Sequence, residues 1–292
     1  MRKIELLAPA RDITAGKAAV DHGADALYIG GPGFGARHSA ANTAEDIARL
    51  VEYARPFGVR VFAALNTIVY GNELGQAEKT ARELIAAGVD ALIIQDMAFL
   101  RMGLTGVEFH ASTQMCNTSP EQVRFLQEAG FSRIILERGL TLMQIKDIRK
   151  ATDVDLECFV HGAICVGFSG QCYMSRSMGP RSGNRGECGQ PCRLAYDLQD
   201  CNGKTIVADK HLLSVRDLNL SDRIPQLIDA GIASFKIEGR LKDDAYVKNI
   251  VAHYRTLIDA AIAGKNDICR ASSGVSSIGF IPDPARTFTR GY

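Results

Sequence analysis

Apolar positions along the chain fall into eight short, nearly unbroken runs separated by amphipathic stretches. One phrase recurs: GADALYIG (23–30), GVDALIIQD (88–96), GFSRIILER (130–138) and GIASFKIEG (231–239). In each, a helical pattern stops at a glycine, the residue that most readily takes the left-handed turn closing a helix. A run rich in Ile, Leu, Val or Phe then begins within three residues. Such runs suit strands of a parallel sheet covered on both faces. KIELLAP (3–9), VRVFAALN (59–66), VEFHAST (107–113) and DLECFVHG (155–162) have the same character and complete the eight. Between them, residues 43–58, 73–88, 119–130 and 141–153 carry apolar side chains at helical spacing behind Thr, Ser or Asn-type caps. Eight alternating βα units predict an α/β fold, a (β/α)8 TIM-like barrel. No GxGxxG turn follows the first strand, which counts against a doubly wound dinucleotide-binding sheet.

Two connections depart from the pattern. MAFLRMGLTG (97–106), after the fourth strand, is too short for a full helix. After the seventh strand, residues 162–232 form a long insertion rich in Gly, Ser and Arg that holds Cys165, Cys172, Cys188, Cys192 and Cys201. Loops of this length inside a domain are usually functional or disordered. This one leaves the C-terminal end of a barrel strand, where barrel active sites sit. The barrel is expected over 1–264, with a last helix near 244–264. Residues 265–292 read as an irregular tail, a partial strand or the start of a further domain.

Composition narrows the partners. The 292 residues include 34 Lys and Arg against 33 Asp and Glu, a formal charge of +1. That balance argues against a broad nucleic-acid-binding face. No apolar run approaches the ~20 residues that span a bilayer. The start, MRKIELLAPARD, is broken by Pro9, Arg11 and Asp12 and lacks a signal peptide's apolar region. A cytoplasmic location follows as the expectation, and thiols stay reduced there.

Strand parity sets out the polar candidates. Glu108, His110 and Ser112 share one face of their strand; Glu157 and His161 share another; Lys236, Glu238 and Arg240 a third. Charges on a barrel strand must pair or bind something polar, so these are expected to line the upper lumen as acid–base or binding groups, or to form an ion-pair network at the rim. Asn66, Gln95, Asp96, Glu137 and Arg138 also fall at C-terminal strand ends. Arg37 and His38 lie in GGPGFGARHSA, a glycine-rich loop able to cradle an anion.

The insertion's cysteines follow C-x6-C-x15-C-x3-C at 165, 172, 188 and 192. Four thiolates in one loop can close around a tetrahedral zinc or a 4Fe–4S cluster. Neither pair has the short C-x2-C knuckle usual for zinc ribbons. The spacing leaves cluster, zinc and reactive or buried thiols all open. Arg176, Arg181, Arg185 and Arg193 face a single Glu187, so the loop is locally basic and suited to phosphate or carboxylate.

ELLAPA (5–10), GADALYIGGPGFGARH (23–38), HASTQ (110–114), FVHGAICVGFSGQCYMS (159–175), NRGECGQPCR (184–193) and FKIEGR (235–240) strongly resemble the collagenase-like "peptidase" family of unassigned catalytic type. The resemblance runs from about residue 3 to 292. GGPGFGARH, HASTQ, HLLS (211–214) and YVKNI (246–250) look most like its 23S ribosomal RNA 5-hydroxycytidine synthase branch. It implies a 4Fe–4S cluster on Cys165, Cys172, Cys188 and Cys192, and oxygen-independent hydroxylation of a pyrimidine at carbon 5, with prephenate as a hydroxyl donor.

The function expected is therefore an iron–sulfur RNA hydroxylase. Its partner would be ribosomal RNA or its precursor. The alternatives are tRNA uridine 5-hydroxylation, a protease, and a cluster-bearing accessory subunit. Neither HExxH nor G-x-S-x-G occurs in the chain, which weakens the protease reading.

Overall fold

The computed structural model describes residues 1–37 and 42–292; His38 lies outside the described residues. Seven parallel strands come first: β1 (Arg2–Ala10), β2 (Ala26–Gly30), β3 (Arg60–Leu65), β4 (Ala91–Ile94), β5 (Glu108–Ala111), β6 (Arg133–Ile135) and β7 (Asp155–Gly162). The insertion contributes an antiparallel hairpin, β8 (Tyr196–Gln199) with β9 (Thr205–Lys210), and a two-residue strand, β10 (Leu218–Asn219). β11 (Ser234–Ile237) then pairs with both β7 and β1, and β6 pairs with β7, so eight parallel strands close into a barrel. The eight expected strands are all present. The hairpin was not expected, although Tyr196 and Leu198 alternate with Asp197 and Gln199 and the connection carries the turn pair Asn202–Gly203. The tail is less irregular than its sequence suggests: β12 (Ile268–Arg270) pairs with the start of β1.

The helices begin where their capping side chains sit. Asp12 caps α1 (Ile13–Asp21) and Thr43 caps α2 (Ala44–Ala54). After α3 (Leu74–Ala86), Ser119 caps α4 (Pro120–Glu128), and Thr141 with Gln144 forms a capping box on α5 (Leu142–Lys150). The short α6 (Met174–Met178) lies in the insertion, followed by α7 (Ile224–Asp229) and α8 (Asp244–Ile262), the last capped by Asp243. The short connection after β4 is a 3-10 turn, Met97–Arg101. At two of the recurring phrases, Gly23 and Gly231 have φ of +102° and +92°, and an added Cβ would strike the side chains of Arg255 and Arg149. No helix among the described residues is long and apolar enough to cross a membrane.

Both strand faces are buried, which explains the unbroken apolar runs. The outer face packs against the helices through residues such as Leu6, Leu27, Val61, Leu92 and Ile134. The lumen holds Leu7, Tyr28, Phe62, Ile93, Ile135 and Phe159. Below them, Arg133 pairs with Glu5 and with Glu157 Oε2 at 3.3 Å, and Lys236 pairs with Glu157 Oε1 at 2.8 Å. Mutual pairing makes these buried charges tolerable.

Candidate active site

The C-terminal ends of the strands open into a cavity of about 560 Å³ roofed by the insertion. Its floor is the pair of lumen rings Tyr28 and Phe159 with Ile93 and Ile135, and its far wall carries Cys165, Cys172, Cys188 and Cys192. Each thiol is placed by local structure. Cys165 follows β7, Cys172 sits two residues before α6, and Cys192 lies in the 3-10 turn Pro191–Arg193. The Met174 N–H donates to Cys172 Sγ at 3.4 Å and the Gln190 N–H to Cys188 Sγ at 3.3 Å. Amide donors of this kind stabilise thiolate ligands. Gly167 and Gly183 leave room beside the sulfurs: a Cβ on Gly167 would come within 3.0 Å of Cys172 Cβ and 3.5 Å of Cys165 Sγ. Burial pushes the Cys192 thiol up, and charge on Cys165, Cys188 and Cys172 pushes it the same way against Arg193. Among the described residues, no three His, Cys, Asp or Glu side chains gather tightly enough to hold a single metal ion. All four thiols nevertheless belong to residues lining the one cavity.

The charged strand residues divide by height in the barrel. Lys236, Glu238 and Arg240 line the cavity, with Arg37 and Asn66 from neighbouring loops. Glu238 accepts from Arg138 at 2.9 Å and faces Arg37 at 3.9 Å. Burial works to raise the Glu238 carboxyl, but Arg138, Arg37 and Arg240 outweigh it and hold it below the usual range. Asn66 Oδ1 accepts from the Ala36 N–H at 3.0 Å, while Nδ2 donates to Gln114 Oε1 at 2.8 Å. That chain fixes which end of each amide faces which way.

Upper-lumen placement is corrected for four residues. Glu108 opens β5 at the opposite end of the barrel, half-exposed and paired with Arg60 at 2.7 Å. The His110 hydrogen bond, then Arg60, hold it down to about 2 against burial. His110 is fully buried beside it, edge-on to Phe62, and burial lowers its pKa to about 4. Glu157 lies beneath the floor, between Lys236 and Arg133. His161 leaves the lumen altogether. The register pairs Phe159 with Lys236 and His161 with Ile237, so β7 spends two residues against one of β11. This bulge reverses the alternation, and His161 packs against Tyr254 of α8, where burial lowers it to about 4.

The arginines of the insertion mostly bind the insertion itself. Arg193 donates to Ser214 Oγ, the Val215 carbonyl and the Ile164 carbonyl. Arg181 donates to the carbonyls of Glu187 and Cys188, and Arg185 reaches Glu73 and Ile68. Arg176 bonds the Pro180 carbonyl. Only Arg181 and Arg193 of the four line the cavity. Arg240 differs from all of these: it is 5% exposed, and its Nε and Nη1 are buried with no hydrogen-bond partner among the described residues.

Tyr28, Phe159 and Gln114 were not singled out in the sequence. The two rings read as ordinary core, and only their height in the barrel makes them floor. Gln114 closes the HASTQ segment, whose signal lay in its fixed position after β5.

The model of Peptidase family U32 matches residues 11–291. The chain belongs to this family. It is 50% identical to the 23S rRNA 5-hydroxycytidine synthase of Escherichia coli K12, over 99% of this chain and 44% of that protein. It is 38% identical to "tRNA hydroxylation protein P1" of Bacillus subtilis 168, over 90% and 64%, and 31% identical to a "Collagenase" of Porphyromonas gingivalis W83, over 90% and 67%. The chain thus spans less than two thirds of the first two relatives. Among solved structures, the U32 peptidase Mk0906 superposes with a TM-score of 0.54 at 14% identity, covering 82% of this chain and 94% of that one. At that identity the likeness concerns the barrel alone.

Proposed function

We propose that this member of family U32 hydroxylates carbon 5 of cytidine in 23S ribosomal RNA without molecular oxygen. The observation that carries the reading is the 50% identity to the E. coli synthase across 99% of the chain. The cavity's chemistry supports it. A base must leave its stack to be modified at its edge, and the Tyr28 and Phe159 rings give an extruded base an apolar floor. Asn66 and Gln114, pinned end to end, offer it polar atoms of fixed orientation. Glu238, kept ionised by Arg138 and Arg37, is the carboxylate able to take up the proton that carbon 5 loses.

Cys165, Cys172, Cys188 and Cys192 would hold a 4Fe–4S cluster. Four cysteines on one cavity, with amide donors to the sulfurs of Cys172 and Cys188, support that reading. Such a cluster supplies redox or Lewis-acid chemistry at the cavity wall.

The B. subtilis relative favours tRNA as the second reading. A cysteine protease is disfavoured, since it needs a base beside its thiol and, among the described residues, no histidine lines the cavity. The test is mass analysis of ribosomal RNA nucleosides from a strain lacking the protein. Loss of 5-hydroxycytidine is expected; unchanged 5-hydroxycytidine, with loss of a tRNA uridine modification, would overturn the assignment in favour of the second reading.

A further inference from the structure

Ser175, in α6, is 7% exposed and lines the cavity together with Cys188. Its hydroxyl oxygen accepts from the Gly189 N–H at 3.0 Å. A hydroxyl carries one proton besides its acceptor lone pairs, so that proton stays available to a second partner. Cys188 Sγ, at 3.9 Å, is the acceptor it reaches. The Gln190 N–H donates to the same sulfur at 3.3 Å. Cys188 therefore collects two donors where Cys172 collects one, from the Met174 N–H. Arg181 puts positive charge on the same side of the cavity, its Nη2 donating to the Cys188 carbonyl at 3.2 Å.

The helix itself does not call for this hydroxyl, since α6 has no side-chain cap. Its place beside a cysteine sulfur does. A sulfur bound to iron grows more negative when the centre takes up an electron. Donors aimed at that sulfur stabilise the reduced state more than the oxidised one, and hydrogen bonds to the sulfurs are among the levers that set an iron–sulfur potential.

We propose that Ser175 raises the reduction potential of the iron–sulfur centre held by Cys165, Cys172, Cys188 and Cys192, by donating a hydrogen bond to Cys188. Ser175 is no ligand; it acts through the Cys188 sulfur. The inference rests on the cluster reading proposed above and adds to it the residue that poises the centre. The reduction concerned takes up one electron, and no bond forms or breaks.

The experiment uses the full chain purified anaerobically, with iron and sulfide counted. A reductive titration with a europium(II) chelate is followed by electron paramagnetic resonance. Ser175→Ala is expected to keep the wild-type iron and to be about tenfold more oxidised at a given potential, a midpoint lower by about 59 mV for one electron. Ser175→Thr, which keeps the hydroxyl, should recover the wild-type midpoint. Ser177→Ala, whose hydroxyl bonds the Met174 carbonyl instead, should not move it. A second measurement needs no variant. A hydroxyl exchanges its proton faster than a hydrogen-bonded amide, so wild type frozen soon after mixing with heavy water should already show shifted iron–thiolate bands in resonance Raman. A loaded Ser175→Ala with the wild-type midpoint would overturn the inference. So would a lowered midpoint that Ser175→Thr fails to recover, or a wild type without the early shift. These three results leave the cluster reading standing, whereas a wild type without iron overturns both.

Discussion

Phe159 faces the cavity, and His161, two residues later on the same strand, faces α8 with its ring 5.5 Å from that of Tyr254. The bulge between them makes His161 a structural residue. His161→Gln is expected to lower the melting temperature and leave the proposed hydroxycytidine formation intact; loss of product in a fully folded variant would contradict this.

Acid sensitivity follows from the same burial. Unfolded histidine takes its proton near pH 6.5, whereas His161 and His110 do so only near 4 in the fold. Between those values the unfolded chain holds more protons, so stability is complete above about pH 6.5 and declines as pH falls toward 4. Melting curves at a series of pH values check it: His161→Gln should show a shallower decline than wild type.

Glu157 lies under the cavity with Lys236 on one oxygen and Arg133 on the other. Breaking a buried pair strands a charge, at about 3 kcal/mol or more. Glu157→Gln should therefore lower the denaturant midpoint substantially. A midpoint shift equal to that of an exposed control such as Glu78→Gln would show that the network contributes nothing.

Arg193 ties Ile164, at the start of the insertion, to Ser214 and Val215 near its end. Removing it in Arg193→Ala should loosen the insertion by about 2 kcal/mol, roughly thirtyfold in its opening equilibrium. Limited proteolysis should cut between residues 166 and 213 faster while the barrel stays intact. Unchanged cleavage would show that this staple does not hold the insertion closed.

The barrel was legible because its code is local: apolar runs, capping side chains and a glycine before the strand repeat with the βα unit. The cysteines and the trio Lys236, Glu238 and Arg240 were legible from spacing and strand ends. Placement within the lumen was not. Glu108 and His110 share a face with Ser112, yet height along the strand, which parity does not encode, puts them at the far end of the barrel. His161 failed for another reason, since a bulge depends on pairing with β11, some seventy residues away. The insertion's arginines looked like ligand groups because most of their acceptors are backbone carbonyls, which every sequence has, and the others, Glu73 and Ser214, lie far off in the chain.

Iron and acid-labile sulfide, counted per chain after anaerobic purification, test the cavity wall most directly. About four of each are expected in the wild type, falling together in Cys172→Ser and Cys188→Ser and unaltered in Cys201→Ser, whose thiol is exposed and away from the cavity. Stoichiometric zinc without sulfide, or iron retained equally in all three variants, would contradict the account.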